Sequence, residues 1–183
     1  MAYNKVLGTN NKMRARQVLD DCRKAHSLLE HEDDPQTFRI LFVAAVTLCR
    51  AVGHVLDKVD AKEDPRLKES VQSWWRELNS DTTKNTIFHN FIDQQRNNIL
   101  KEYHFAHDDH EQKLMVLPSM ELFSLGELLF CPIEEGKYAG EDCRDILHDA
   151  ILWWDEQLKK LEWQSKVETP NAQRSTLNFQ VEP

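Results

Sequence analysis

The chain has 183 residues, a formal net charge of -8, 40% hydrophobic and 30% charged residues, and only five glycines and six prolines. That length suits one domain with its own core, and the scarcity of turn formers favours long helices over many short strands. The acidic balance excludes a global positive field that would gather nucleic acid without sequence preference, so any RNA or DNA contact must use a local patch.

In chain order, residues 1 to 9 read as a lead-in. From Asn10 or Asn11 to about His31, Met13, Val18, Leu19, Cys22, Leu28 and Leu29 alternate with basic residues in the pattern of an amphipathic helix. HEDDPQ then supplies a break and a start signal, with Asp34 as N-cap and Pro35 at the first helical position. The second helix is expected to run to about Ala61. Between Ile40 and Val52 it is apolar nearly all round, which predicts a place at the centre of a bundle. The run Ile40 to Cys49 is short for a membrane span and is flanked by Arg39 and Arg50, and no apolar h-region precedes it. A soluble cytoplasmic protein with no membrane role is therefore expected.

Asp64 and Pro65 repeat the start device for a third helix through Leu67, Val71, Trp74, Trp75 and Leu78. Ser80, Asp81, Thr82 and Thr83 can cap a fourth, Asn85 to His104, whose core face is Phe88, Ile92, Gln95, Ile99 and Tyr103. Residues 105–140 hold three of the five glycines and no sustained helical period, and read as an irregular insert with a short hairpin. A last helix is expected from about Glu141 to Lys166 along Cys143, Ile146, Leu147, Ala150, Ile151, Trp154, Leu158 and Leu161. The fold class is thus all-α, a bundle of about five helices forming one domain over 1–166, with a polar tail over 167–183. The four cysteines, Cys22, Cys49, Cys131 and Cys143, occur singly with no CxxC pair and read as reduced packing residues.

Three groups of residues can carry chemistry. On the fourth helix Arg96 follows Ile92 by four and precedes Ile99 by three, so its guanidinium reaches the edge of the core. It either ties a neighbouring carboxylate or helix end, or holds a phosphate. On the second helix Arg50, His54 and Asp57 line one side, either as a supporting shell for that site or as polar pairs such as Arg50 with Asp57 and His54 with Asp93. The run HFAHDDH places His104, His107, Asp108, Asp109 and His110 close enough to offer ligands to zinc or nickel. It lacks HExxH spacing and reads more simply as a solvated helix end, so neither metal nor cofactor is expected. There is no Gly-rich phosphate loop and no GxSxG elbow, and the pairs Trp74-Trp75 and Trp153-Trp154 read as packing residues.

The long apolar second helix, the tryptophan-rich third and the Arg96-Asn97 pair on the fourth resemble the HEPN superfamily over roughly Gln36 to His104. The family motif is an arginine, often followed by asparagine, with a histidine after four to six intervening residues. Here Lys101 holds the nearest such position, Tyr103 the furthest, and His104 lies one residue outside. The resemblance implies a small helical bundle, commonly a homodimer, in a prokaryotic defence or regulatory system, where it binds RNA, a nucleotide or a partner protein such as an antitoxin. Arg96, Asn97 and Lys101 would contact phosphate. In catalytic members arginine and histidine act on an RNA phosphodiester without metal, which would assign Arg96 and His104 that role. Lysine, already charged near neutrality, is a poor general base, whereas histidine can take and give a proton. Asn97 and His104 are seven apart and so share a face if the helix reaches that far. The expected function is a non-cleaving or weakly cleaving HEPN-like binding domain. The alternatives are a helical interaction module with no nucleic-acid role and an active metal-independent ribonuclease. The first places Arg96 at the floor of a cleft, whereas the interaction module locks it to a carboxylate or a helix end.

Overall fold

A computed structural model describes residues 13–102, 114–116, 118, 122–124 and 128–167. It is an all-α bundle of five helices: α1 (Arg14–Leu29), α2 (Pro35–Glu63), α3 (Pro65–Ser80), α4 (Phe88–Asp93 continuing as Gln94–Glu102) and α5 (Cys143–Val167). A small antiparallel hairpin, β1 (Leu114–Val116) with β2 (Leu122–Ser124), lies in the insert between α4 and α5. The expected lead-in, most of the tail, Tyr103 and the whole HFAHDDH run lie outside the described residues.

The two Asp-Pro starts form as local chemistry demands. Asp34 accepts the amide of Thr37 at 2.8 Å and Asp64 that of Arg66 at 2.9 Å, each satisfying a first-turn N–H that the helix leaves without a partner. The first helix begins differently. Met13, at its N-cap, offers no side-chain cap. Instead the buried carboxylate of Asp60 on α2 accepts the amides of Arg14 and Ala15, both at 2.9 Å. Asp60 sits in a π-helical turn, Leu56–Asp60, that ends the regular part of α2. A negative charge at a helix N-terminus also opposes the positive end of its dipole.

A second π-helical turn, Phe88–Asp93, opens α4. Its wider spacing buries Phe91 beside the expected stripe of Phe88, Ile92, Gln95 and Ile99. Phe88, Trp74, Trp75, Trp153 and Trp154 form one aromatic cluster joining α3, α4 and α5, with centroids such as Trp74–Trp154 at 5.7 Å and Trp75–Phe88 at 5.7 Å. The tryptophan pairs are packing residues, as expected. Trp154, fully buried, lies on α2 at Gly53, where an added Cβ would fall 2.8 Å from its ring.

Helix α2 touches α1, α4 and α5 and buries Phe38, Phe42, Ala45, Val46, Cys49, Val52 and Leu56. By length and composition it is apolar enough to cross a membrane. In the bundle these apolar residues are core, which is compatible with a soluble fold. The central position is only partly realised, because Ile40 is 57% exposed and Thr47 is also on the outside. The other helices pack against one side of α2 and leave that stripe uncovered.

The four cysteines, far apart in sequence, meet as two reduced pairs: Cys22 with Cys49 between α1 and α2, and Cys131 with Cys143 where the insert returns to α5. Burial pushes the Cys49 thiol well up, and the hydrogen bond with Cys131 does the same for Cys143, followed by burial. Protonated thiols of this kind pack rather than react. Asp142 begins α5 by accepting the amide of Arg144 at 2.9 Å, and it accepts that of Cys131 at 3.0 Å, pinning the insert to the helix.

Arg16 of α1 reaches across to α5, donating to Asp155 at 2.5 Å and Glu162 at 2.9 Å, while Arg23 and Lys159 also contact Asp155. The hydrogen bond from Lys159, then those from Arg23 and Arg16, hold the Asp155 carboxyl down to about 2, against an ordinary value of 3.8. A carboxylate whose folded value is depressed contributes stability in full above its unfolded value, and that contribution is lost as pH falls through the folded one. Acid denaturation between about pH 4 and pH 2 is therefore expected to be less steep in Asp155→Asn than in the wild type, measured by urea midpoint across that range. Equal slopes would remove Asp155 from the acid response.

Candidate functional site

The fold brings the arginines of α2 and α4 onto one side of the molecule, joined by polar residues of α4. Arg50 Nε donates to Asp93 Oδ1 at 3.0 Å, and its guanidinium lies 5.4 Å from the centre of the Phe88 ring. Asn97, one turn beyond Asp93, donates through Nδ2 to Asp93 Oδ2 at a long 3.4 Å. Arg96 Nη1 donates to Asn97 Oδ1 at 2.8 Å. The resulting chain runs Arg50, Asp93, Asn97, Arg96 across two helices.

The π-turn of α4 ends at Asp93, which places this carboxylate towards α2 while Phe91 and Ile92 remain in the core. The Arg50–Asp93 pair is only partly shielded, with side chains 30% and 39% exposed, so it positions the two helices more than it stabilises them. Arg50 neutralises Asp93, and Asn97 is neutral, so the half-buried Arg96 gives the cluster a net charge of +1 on an acidic chain. An arginine has five N–H donors. Among the described residues the Arg96 side chain uses one, to an uncharged amide.

The sequence-based pairings are thus partly rearranged. Arg50 does not pair with Asp57, which contacts its neighbour Lys58 at 2.6 Å instead. Asp93 is taken by Arg50 and not by His54, which is exposed one turn further along α2. On a helix running through Leu56–Asp60, Asp57 sits at the start of the π-turn, where the change of pitch removes it from the expected register with Arg50. Arg96 and Asn97 are brought together as expected, and Lys101, exposed, follows Asn97 by four on the same helix. His104 lies outside the described residues. Among the described residues Arg96 is not locked to a carboxylate, nor is it fully open, and its hydrogen bond to Asn97 was not foreseen. Phe88 under Arg50 was also missed, although its position five residues before Asp93 on an apolar face was the available clue. Among the described residues no cluster of three metal-binding side chains occurs.

Comparison with protein-family models, with curated proteins and with solved structures finds no match to this chain. The reading of the site therefore rests on its own residues.

Proposed function

We propose that this chain is a HEPN-like helical domain that binds the phosphates of single-stranded RNA at the Arg96–Asn97 pair without cutting it. The observation that carries this reading is that Arg96, half-buried at the edge of the core, is oriented by a neutral amide and, among the described residues, is not consumed by a carboxylate. A guanidinium held in that way is pre-oriented for the paired oxygens of a phosphate. Arg50 supports the site from α2 by neutralising Asp93, and Lys101 lies one turn beyond Asn97 as a second cation for the next phosphate. Binding without cleavage follows from Lys101 standing where the family motif carries its histidine, since a lysine that is charged and exposed is a poor proton acceptor.

The test is labelled single-stranded RNA incubated with the purified protein in EDTA, wild type beside Arg96→Ala, followed by a gel shift over a salt series. The expected result is no cleavage by either protein. Arg96→Ala should bind about tenfold more weakly, and the slope of log affinity against log salt should fall by about 0.7 for the lost phosphate contact. Cleavage by the wild type alone would replace this reading with a metal-independent ribonuclease and direct the next mutation to His104. Equal RNA affinity in both proteins would end the phosphate reading.

A further inference from the structure

Away from the Arg96 cluster, a groove of about 610 Å³ opens between α3, α5 and the turn that leads into α4. Its volume falls within the range of about 300–1,000 Å³ usual for small-molecule sites. The half-buried indoles of Trp74 and Trp153 line it together with Leu78 and Leu161. Glu77 stands on the α3 wall and Glu156 on the α5 wall. Among the described residues neither glutamate side chain has an ion-pair or hydrogen-bond partner, whereas Asp81 at the end of the groove is committed to Thr83 and Lys84.

Gln157 adds the decisive polar group. It is only 8% exposed, and its Oε1 accepts from Trp74 Nε1 at 3.0 Å. Gln157 lines the groove, and with its oxygen end held by Trp74 the NH2 end has no acceptor among the described residues. The NH2 group is not sealed from solvent, so it is a donor that a ligand in the groove can take over from water.

We propose that this groove binds a guanine base. Guanine carries two adjacent N–H donors, N1–H and the N2 amino group, which match one carboxylate, and beside them O6, an acceptor for the Gln157 NH2 group. Its flat ring suits an indole face. Adenine reverses this pattern by placing an acceptor, N1, where the carboxylate needs a donor. An aliphatic polyamine has no acceptor for Gln157 and meets Lys160 on the same wall. The lining holds three carboxylates, Glu77, Asp81 and Glu156, against Lys84 and Lys160, so the base edge and not a polyphosphate chain is the part recognised.

The experiment is calorimetric titration of the full chain with GMP, IMP, AMP and spermidine. GMP is expected to bind with a Kd below about 1 mM, and IMP, which lacks the N2 amino group, at least about tenfold more weakly, with AMP weaker still. Either Glu77→Gln or Glu156→Gln should lose GMP binding by about tenfold or more with unchanged circular dichroism. Both positions are exposed, so neither substitution disturbs the core. Arg96→Ala should bind GMP as the wild type does, separating this groove from the phosphate site. A guanine-bearing single-stranded RNA that displaces GMP would identify the strand as the source of the base, and failure to displace would identify the free nucleotide. The proposal is overturned by no GMP binding below about 1 mM, by AMP or spermidine binding as well as GMP, by both glutamine variants retaining full affinity, or by loss of GMP binding in Arg96→Ala.

Discussion

Replacing Trp154 with alanine is expected to lower the stability of the bundle by about 3–5 kcal/mol, the range for removing a large aromatic from a core that cannot fully collapse. Trp154 has no exposed surface and touches Trp74, Trp153 and Phe88, so its loss opens a cavity where α2, α3, α4 and α5 meet. Gly53→Ala probes the same contact from the other side. Alanine in a helix interior gains about 1 kcal/mol over glycine. The new methyl, however, would lie 2.8 Å and 3.2 Å from two carbons of Trp154 and 3.3 Å from Trp75. Two packed indoles cannot move as the end of a flexible chain would, and overpacking of this kind typically costs about 1–3 kcal/mol. Net destabilisation is expected, with Gly53→Val worse. Urea denaturation followed by tryptophan fluorescence and by far-ultraviolet circular dichroism checks both variants. A Gly53→Ala protein more stable than the wild type would mean that the ring beneath it has room to shift.

Asp60→Asn is expected to cost about 1.5–3 kcal/mol, the range for a hydrogen bond to a charged group that is buried. The carboxylate receives two adjacent amides at the start of α1 on its two oxygens. An asparagine keeps one acceptor and turns an NH2 group towards the other backbone donor, leaving that N–H buried without a partner. The loss should concentrate at the first turn of α1 and the end of α2, since each holds the other. Hydrogen exchange at the amides of Arg14 and Ala15 reads this directly. If their protection stays unchanged in Asp60→Asn while global stability falls, Asp60 acts through α2 alone.

These two sites differ in how far the sequence reveals them. The Asp34-Pro35 and Asp64-Pro65 starts are legible because the cap and the amide it accepts lie two or three residues apart, and spacing alone brings them together. The apolar stripe of α5 is legible for the same reason, as helical periodicity is a property of consecutive residues. The start of α1 is not legible, because its cap is Asp60, 45 to 46 residues away. Nor is the π-turn Phe88–Asp93, which buries Phe91 and aims Asp93 at Arg50. A one-residue widening of a helix is set by what must pack on either side of it.

The candidate site divides in the same way. Arg96 and Asn97 stand out as neighbours on a helix, and their chemistry is that of their side chains. That Arg96 bonds to Asn97, that Asp93 answers Arg50 while Asp57 takes Lys58, and that single cysteines meet in pairs depend on how the helices cross. Likewise Trp74 and Trp153 read as packing residues, and only the tertiary arrangement of α3 and α5 leaves a groove beside them that Gln157 lines. The sequence by itself therefore determined where most helices begin and which faces are apolar, since those depend on interactions within about one helical turn. The tertiary structure alone decided which polar groups find partners, because a hydrogen bond requires two groups within about 3 Å and only the packing of distant segments sets that distance.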